Sequence, residues 1–143
     1  MEDQAVAVRT IARLARLLEC GCADLSLAQY RILAMVDAGD ERASRLAERL
    51  AVAKPTVTAV VDGLVERGCL KRSPVPGDRR AIRITITAAG RRTLRAAETA
   101  MAQRLEPVMS RLEHPSRTAA ALGALGKALD ALADERLQSG TLR

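Results

Sequence analysis

The chain has 143 residues, 48% of them hydrophobic, and a formal net charge of +6, which suits one domain, or one domain with an oligomerisation arm. Phe and Trp are absent and Tyr30 is the only aromatic residue, so a core of Leu, Ala, Val and Ile is expected, which favours packed helices over a β-sandwich. No apolar run approaches the ~20 residues that span a bilayer and no signal peptide opens the sequence, which excludes a membrane protein and predicts a cytoplasmic one.

The excess of positive charge lies in the middle of the sequence. Residues 40–95 hold 13 Lys and Arg against 6 Asp and Glu, a net charge of +7, and the rest of the chain holds 10 against 11, a net charge of −1. Such a concentration is expected of one surface that meets a polyanion. On charge alone, a solvated basic face stays open as the alternative.

The N-terminal part of the chain predicts two helices. In residues 5–18 the apolar side chains recur at helical spacing; they are Val8, Ile11, Ala15 and Leu18. The stretch "SLAQYRILAMVDAG" opens with Ser26 and Gln29 in a capping-box arrangement and closes near Gly39. A second helix is therefore expected between these residues.

Two short helices with a tight connection are predicted next. The first is expected near residues 44–50. The second begins around Lys54 with Pro55 in its first turn, where an N–H group would have no helical partner, and ends at Gly68 in a C′ position. Because only "AVA" separates them, this segment predicts a helix-turn-helix.

A β-hairpin is predicted after the helix-turn-helix. "AIRITIT" alternates β-branched and polar residues as a strand does, and "CLKRS" is expected to pair with it. The loop "PVPGDR" between them has the Pro and Gly of a hairpin tip. This stiff loop is expected to present Asp78, Arg79 and Arg80.

Two long helices are predicted after Thr87, a suitable N-cap. The first should kink or weaken at Pro107 and carries apolar side chains at steps of three and four, namely Leu94, Ala97, Met101, Leu105, Val108 and Leu112. After a break at "EHPS", the last helix runs toward Leu137 and presents one apolar face, formed by Leu122, Leu125, Leu129 and Leu132. The predicted fold class is mainly α with a small β-hairpin wing (α+β), a winged helix-turn-helix flanked by N- and C-terminal helices.

A winged helix-turn-helix predicts a partner, double-stranded DNA. Its second helix enters the major groove with the N-terminal residues nearest the base edges, and a stiff basic hairpin can place a guanidinium in the minor groove. The predicted DNA contacts comprise two helix N-termini and the wing: Ser44, Arg45, Lys54, Pro55, Thr56, Thr58, Arg72, Asp78, Arg79 and Arg80.

The segments "LSLAQYRILAMV" and "ASRLAERLAVAKPTVTAVVDGLVERGCLKRSPVPGDRRAIRITITAAGRRTL" resemble the MarR family of bacterial transcriptional regulators. The resemblance implies a homodimer on a pseudo-palindromic operator, with residues 25–87 as the DNA-binding domain and residues 1–24 and 88–143 as a helical dimerisation arm. It implies that Arg80 is the wing arginine, that Asp78 braces it and that Arg79 meets phosphate. The implied dimer interface comprises Val8, Ile11, Leu105, Val108, Leu112, Leu122, Leu125, Leu129 and Leu132.

The sequence departs from the family pattern on the recognition helix, which is the second helix of the predicted helix-turn-helix. Ala53 stands where members often have Ser, and Ala59 and Gly63 stand where they often have Arg. A lost helix cap costs about 1 kcal/mol, and a lost basic residue weakens phosphate binding. We therefore expect a modest intrinsic affinity for DNA or a greater dependence on the wing.

Regulation of such a protein requires a sensor, and two alternatives stay open. Cys20 and Cys22 lie near the junction of the first two helices, where some members of the family sense oxidants, whereas Cys69 is expected to be buried and inert. A small-molecule pocket between arm and winged unit is the other alternative; its predicted lining is Leu14, Leu17, Leu18, Tyr30 and Met35.

Three functional classes follow: a ligand- or oxidant-responsive repressor, a constitutive or architectural DNA-binding dimer, and a winged-helix module that binds protein. The chain has one histidine and lacks both a Gly-rich phosphate loop and an H-E-x-x-H motif, so no enzyme, metal site or cofactor is expected.

Overall fold

The computed structural model describes residues 1–19, 24–39 and 42–140. This part of the chain forms six helices and one two-stranded antiparallel sheet. In chain order they are α1 (Glu2–Glu19), α2 (Leu27–Asp37), α3 (Ala43–Leu50), α4 (Lys54–Glu66), β1 (Leu70–Val75), β2 (Asp78–Ile86), α5 (Ala88–Met109) and α6 (Pro115–Gly140). The predicted fold class is confirmed.

Local side-chain chemistry fixes where α2 begins. The Ser26 hydroxyl accepts a hydrogen bond from the Gln29 amide at 3.1 Å, and the Gln29 side chain accepts one from the Ser26 amide at 3.0 Å. These are the two reciprocal bonds of a capping box, which satisfy amides that a helix start leaves unpaired. The predicted box is confirmed.

Thr87 joins the wing to α5. Its hydroxyl accepts from the Gly90 amide at 2.9 Å as an N-cap and donates to the Gly68 carbonyl at 2.6 Å. Gly90 packs so closely on β1 that a Cβ there would lie 2.1 Å from the Cys69 carbonyl oxygen. The base of the wing and the start of α5 therefore form one rigid junction.

The winged unit has a core without aromatic rings. α4 packs against α2, α3 and β1, and α2 and α3 pack against β2, through branched aliphatic side chains. The fully buried large side chains are Ile32, Leu33, Leu46, Leu64, Leu70, Ile84, Val57 and Val61. Burial of their apolar surface supplies the main stabilising free energy of this unit.

The hairpin is longer than expected. β1 and β2 pair from Leu70 with Ile86 to Pro74 with Ile82, and an irregularity after Pro74 brings Val75 opposite Asp78. Most of the predicted loop is therefore strand, and only Pro76 and Gly77 form the tip. The position of β1 at the edge of the sheet explains this difference. Pro74 has no N–H group to donate to a ladder, and an edge strand tolerates such a residue.

The two C-terminal helices differ from expectation at their ends. α5 ends at Met109, two residues after Pro107, so Leu112 lies in the turn that follows and not on the helix. α6 extends through Gly140, past the predicted end near Leu137. Among the described residues, no helix is long and apolar enough to cross a membrane.

Helix α6 returns to the winged unit and packs against α3. Ala133 is buried there, and Arg49 on α3 forms ion pairs with Asp130 at 3.5 Å and Asp134 at 3.8 Å on α6. α1 instead contacts α5. The C-terminal helix is thus fastened directly to α3, the helix that precedes α4.

Candidate nucleic-acid interface

One shallow cleft collects side chains from three separate elements. It has a volume of about 370 Å³ and lies where the start of α3, the start of α4 and the start of β2 meet. Its lining residues are Arg42, Ala43, Ser44, Lys54, Asp78, Arg80, Ala81 and Ile82. Four predicted DNA contacts, Ser44, Lys54, Asp78 and Arg80, are therefore brought together.

Sequence reasoning missed Arg42 in this cleft. Arg42 directly precedes α3 and forms an isolated antiparallel bridge with Arg83 of β2. This backbone bridge holds the residue before α3 against β2 of the wing. The pairing joins residues 41 positions apart along the chain, so no local pattern could have revealed it.

Asp78 acts on the backbone of the wing. Its carboxylate accepts a hydrogen bond from the Arg80 amide at 3.0 Å. In the part of the chain that the structure describes, no ion pair joins this carboxylate to the Arg80 guanidinium. Asp78 thus fixes the turn into β2, and the exposed Arg80 side chain extends from a backbone held in place.

The start of α4 presents small polar and apolar groups. Lys54, Pro55, Thr56 and Thr58 are all exposed, and the Thr58 hydroxyl donates to the Lys54 carbonyl at 3.0 Å. Ala53 occupies the N-cap position and makes no side-chain cap bond. The first amides of α4 therefore lack the side-chain acceptor that a Ser would supply.

Arg72 is positioned by α4, the second helix of the helix-turn-helix. It donates a hydrogen bond of 2.6 Å to Asp62 on α4, and the Arg72 and Asp62 side chains are 33% and 51% exposed. The predicted DNA contact thus forms an ion pair within the protein. Arg45 and Arg79, by contrast, are exposed and lie outside the residues that line the cleft.

A second cavity of about 580 Å³ lies between α6 and the α2–α3 pair. Tyr30 and Met35, two of the predicted effector-pocket residues, contribute to its lining; Leu14, Leu17 and Leu18 do not. Those three leucines are half-buried on α1, and Leu18 packs against the core. The residues that sequence reasoning missed are on α3 and α6, including Arg49, Leu50, Leu129, Asp130 and Arg136.

Of the three cysteines, Cys69 lies in the described part of the chain. Cys69 is 3% exposed, with its sulfur 3.9 Å from both the Arg67 carbonyl oxygen and the Thr93 hydroxyl, so its predicted burial is confirmed. Cys20 and Cys22 lie outside the described residues. Within the described ranges, no cluster of His, Cys, Asp and Glu could hold a metal ion.

The helix-turn-helix, the basic hairpin and the helical segments on both sides define a winged helix-turn-helix protein. Residues 23–81 match the model of the MarR family. No curated protein matches the chain in sequence. Over this segment the chain resembles the MarR family of transcriptional regulators, which are DNA-binding proteins and not enzymes.

Solved structures extend the likeness beyond the matched segment. The transcriptional repressor CouR bound to a 23-mer DNA duplex is 28% identical, with a TM-score of 0.74 over 86% of this chain and 89% of that one. A cysteine-to-serine mutant of MarR from E. coli complexed with operator DNA is 22% identical, with a TM-score of 0.70 over 88% and 91%. BpsR of Bordetella bronchiseptica, whose DNA binding is regulated by 6-hydroxynicotinic acid, is 21% identical, with a TM-score of 0.70 over 90% of this chain and 99% of that one.

Proposed function

We propose that two copies of this chain form a homodimer that binds a pseudo-palindromic operator in the cytoplasm, represses transcription, and is released by a small ligand or an oxidant. The observation that carries the proposal is the cleft that brings Ser44, Lys54 and Arg80 to one exposed face. Two such faces, about one DNA turn or ~34 Å apart, would meet successive major grooves of a palindrome.

Unpartnered apolar side chains support the homodimer. On α1, Val8 is 66% and Ile11 is 54% exposed. On α5, α6 and the turn between them the large exposed hydrophobic residues are Val108, Leu112, Leu122, Leu125, Leu129 and Leu132, and Leu105 is half-buried. The four α6 leucines recur at steps of three and four and so share one face of the helix, and an exposed apolar face is typical of a protein–protein interface.

The cavity beside α6 supports release by a ligand. It lies where the C-terminal arm meets the winged unit, so a molecule bound there would contact both. Because Arg49 fastens α6 to α3 across the same cavity, such a ligand would shift the winged unit relative to the arm and change the spacing of the two recognition helices. Oxidation of Cys20 or Cys22 near the first interhelical junction is the second route of release.

The experiment is salt-dependent binding of the purified protein to its own upstream DNA. We expect a specific complex with a steep salt dependence, sharply weakened by Arg80→Ala, because the wing would lose its guanidinium. Arg117→Ala removes the same charge from the first turn of α6, away from the cleft, and should bind like the parent. Equal, weak binding of parent and Arg80→Ala to every duplex would instead favour an architectural or protein-binding role.

Release is tested on the same complex. Candidate small acids and peroxide are added at fixed protein concentration, and the dimer is monitored by light scattering. Dissociation of DNA from an intact dimer supports the ligand- or oxidant-responsive repressor. An operator affinity that no ligand or oxidant alters would leave the constitutive DNA-binding dimer.

A further inference from the structure

The exposed side of α4 has an unusual chemical composition. Pro55, Thr58, Ala59 and Asp62 are exposed and follow one another at steps of three, one and three, so they form one stripe on the helix. Val57, Val61 and Leu64 face the core instead. Beyond Lys54 at its start, the exposed stripe contains none of the Arg, Lys, Asn or Gln side chains that make bidentate hydrogen bonds to guanine or adenine.

The two polar members of this stripe already have partners inside the protein. The Thr58 hydroxyl donates its hydrogen to the Lys54 carbonyl at 3.0 Å. The Asp62 carboxylate accepts from Arg72 at 2.6 Å. The Thr58 hydroxyl hydrogen and one Asp62 oxygen are therefore engaged. Beside the Pro55 ring, the Thr58 γ-methyl and the Ala59 β-methyl are apolar groups that this stripe offers to a ligand.

We infer that α4 reads thymine through its C5-methyl group: the Thr58 γ-methyl, with the Ala59 β-methyl beside it, contacts thymine methyls in the major groove of each half-site. Thymine alone carries a methyl group on its major-groove edge, and apolar side chains recognise it by direct contact. The inference deepens the proposed function and rests on it, because it requires α4 to lie in the major groove.

The test removes the methyl groups from the DNA. A duplex from the upstream region that the protein binds is prepared in two forms. One form has thymine at the positions that α4 protects and the other has uracil there, which lacks only the C5-methyl group. We expect the uracil duplex to bind roughly fourfold more weakly for one substituted half-site and roughly fifteenfold more weakly for both, the ratios for burying one and two methyl groups. Uracil outside the protected bases should have no effect.

Two variants at one position assign the contact. Thr58→Ser keeps the hydroxyl and removes the γ-methyl, so the ratio of uracil to thymine dissociation constants should fall toward one. Thr58→Val keeps a methyl group and removes the hydroxyl, so the ratio should stay at the parent value. A ratio that Thr58→Ser leaves at the parent value overturns the assignment to Thr58.

The outcomes separate this inference from the proposed function. Specific binding of the upstream duplex with equal affinity for thymine and uracil overturns methyl recognition and leaves the operator-binding dimer intact. Absence of any preference for upstream DNA over an unrelated duplex overturns the proposed function and the inference with it. Specific binding that uracil weakens, with the two Thr58 variants behaving as described, supports both.

Discussion

Arg72 on β1 donates a hydrogen bond of 2.6 Å to Asp62 on α4 and so joins the wing to the recognition helix. The pair places a carboxylate on the helix face that we propose to meet DNA, and it neutralises that carboxylate with a guanidinium that would otherwise be free for phosphate. Because both side chains are partly exposed, the pair contributes little to stability, of the order of 0–1 kcal/mol. The main consequence of the pair is that it neutralises the charges of Asp62 and Arg72 on this surface.

The first prediction concerns this pair. Asp62→Ala removes a negative charge from the DNA-facing side and frees Arg72, so binding to any duplex should tighten and the salt slope should steepen by up to about 0.9. Arg72→Ala leaves an unpaired carboxylate near phosphate and should weaken binding. Fluorescence anisotropy titrations at four salt concentrations measure both effects.

The double variant provides the control for that prediction. Asp62→Ala combined with Arg72→Ala removes the pair without leaving a charge, so its affinity should lie between those of the single variants. An Arg72→Ala variant that binds as tightly as the parent would contradict the assigned role. Thermal unfolding is recorded for each variant, because a change in the free energy of unfolding above about 1 kcal/mol would mean that the pair is structural.

A second prediction concerns the turn of the helix-turn-helix. Ala51 ends α3 in the left-handed region, with φ 52° and ψ 40°, although it carries a Cβ. This conformation costs roughly 1–2 kcal/mol for a residue other than glycine, and glycine loses about 0.5–1 kcal/mol of chain entropy. Ala51→Gly should therefore stabilise the fold by up to about 1 kcal/mol in urea unfolding. Ala96→Gly, on the exposed side of α5, should destabilise it by a similar amount.

A third prediction compares two glycines. At Gly90 a Cβ would lie 2.1 Å from the Cys69 carbonyl oxygen, a backbone atom, so Gly90→Ala should destabilise by about 3 kcal/mol or more. At Gly123 on α6 a Cβ would meet nothing within 4 Å, and Gly123→Ala should not destabilise α6 because alanine has the higher helix propensity. Similar unfolding midpoints for the two variants would refute the close approach of α5 to β1.

A fourth prediction restores a helix cap. Ala53 is the N-cap of α4 and makes no side-chain bond to the helix amides. Ala53→Ser should stabilise the protein by about 1 kcal/mol, because serine accepts from one of these amides. Ala53→Val offers no acceptor and should give no gain. Equal midpoints for the Ser and Val variants in urea unfolding would mean that the amides of α4 are already satisfied.

Local chemistry explains which features the sequence could predict. Ser26 with Gln29, Pro55 in the first turn of α4, and Gly68 with φ 71° mark helix boundaries through bonds or torsions within a few residues. The same locality explains why the starts of α2 and α4 were predicted correctly. The wing tip was placed less well, because the pairing of Pro74 with Ile82 depends on an open edge and not on residue preference.

The parts that sequence could not predict are contacts between distant segments. Asp62 with Arg72, Arg42 with Arg83, and Arg49 with Asp130 each join different elements. The Arg72 and Arg49 side chains could equally have faced phosphate or solvent, since charge patterning alone does not distinguish the alternatives, and the Arg42–Arg83 contact is a backbone bridge that no side-chain pattern marks. Of the residues that line the cleft at the wing, the sequence predicted Ser44, Lys54, Asp78 and Arg80 but not Arg42.

The last prediction concerns the link between α6 and the helix-turn-helix. Arg49 is 24% exposed and pairs with Asp130 and Asp134, which are 74% and 59% exposed. Arg49→Met keeps the length of the side chain and removes the charge, so α6 should detach more readily from α3. We expect faster amide hydrogen exchange in residues 126–137 and a several-fold loss of operator affinity, because the recognition helices would be less rigidly oriented.

Its control is Arg104→Met, which alters an exposed arginine on α5. This variant should exchange and bind like the parent. The change in the free energy of unfolding should stay within about 1 kcal/mol for Arg49→Met, as for other exposed ion pairs, so a loss of affinity would reflect orientation and not unfolding. Unchanged exchange in α6 together with unchanged affinity would show that the Arg49 ion pairs do not couple the arm to the DNA-binding unit.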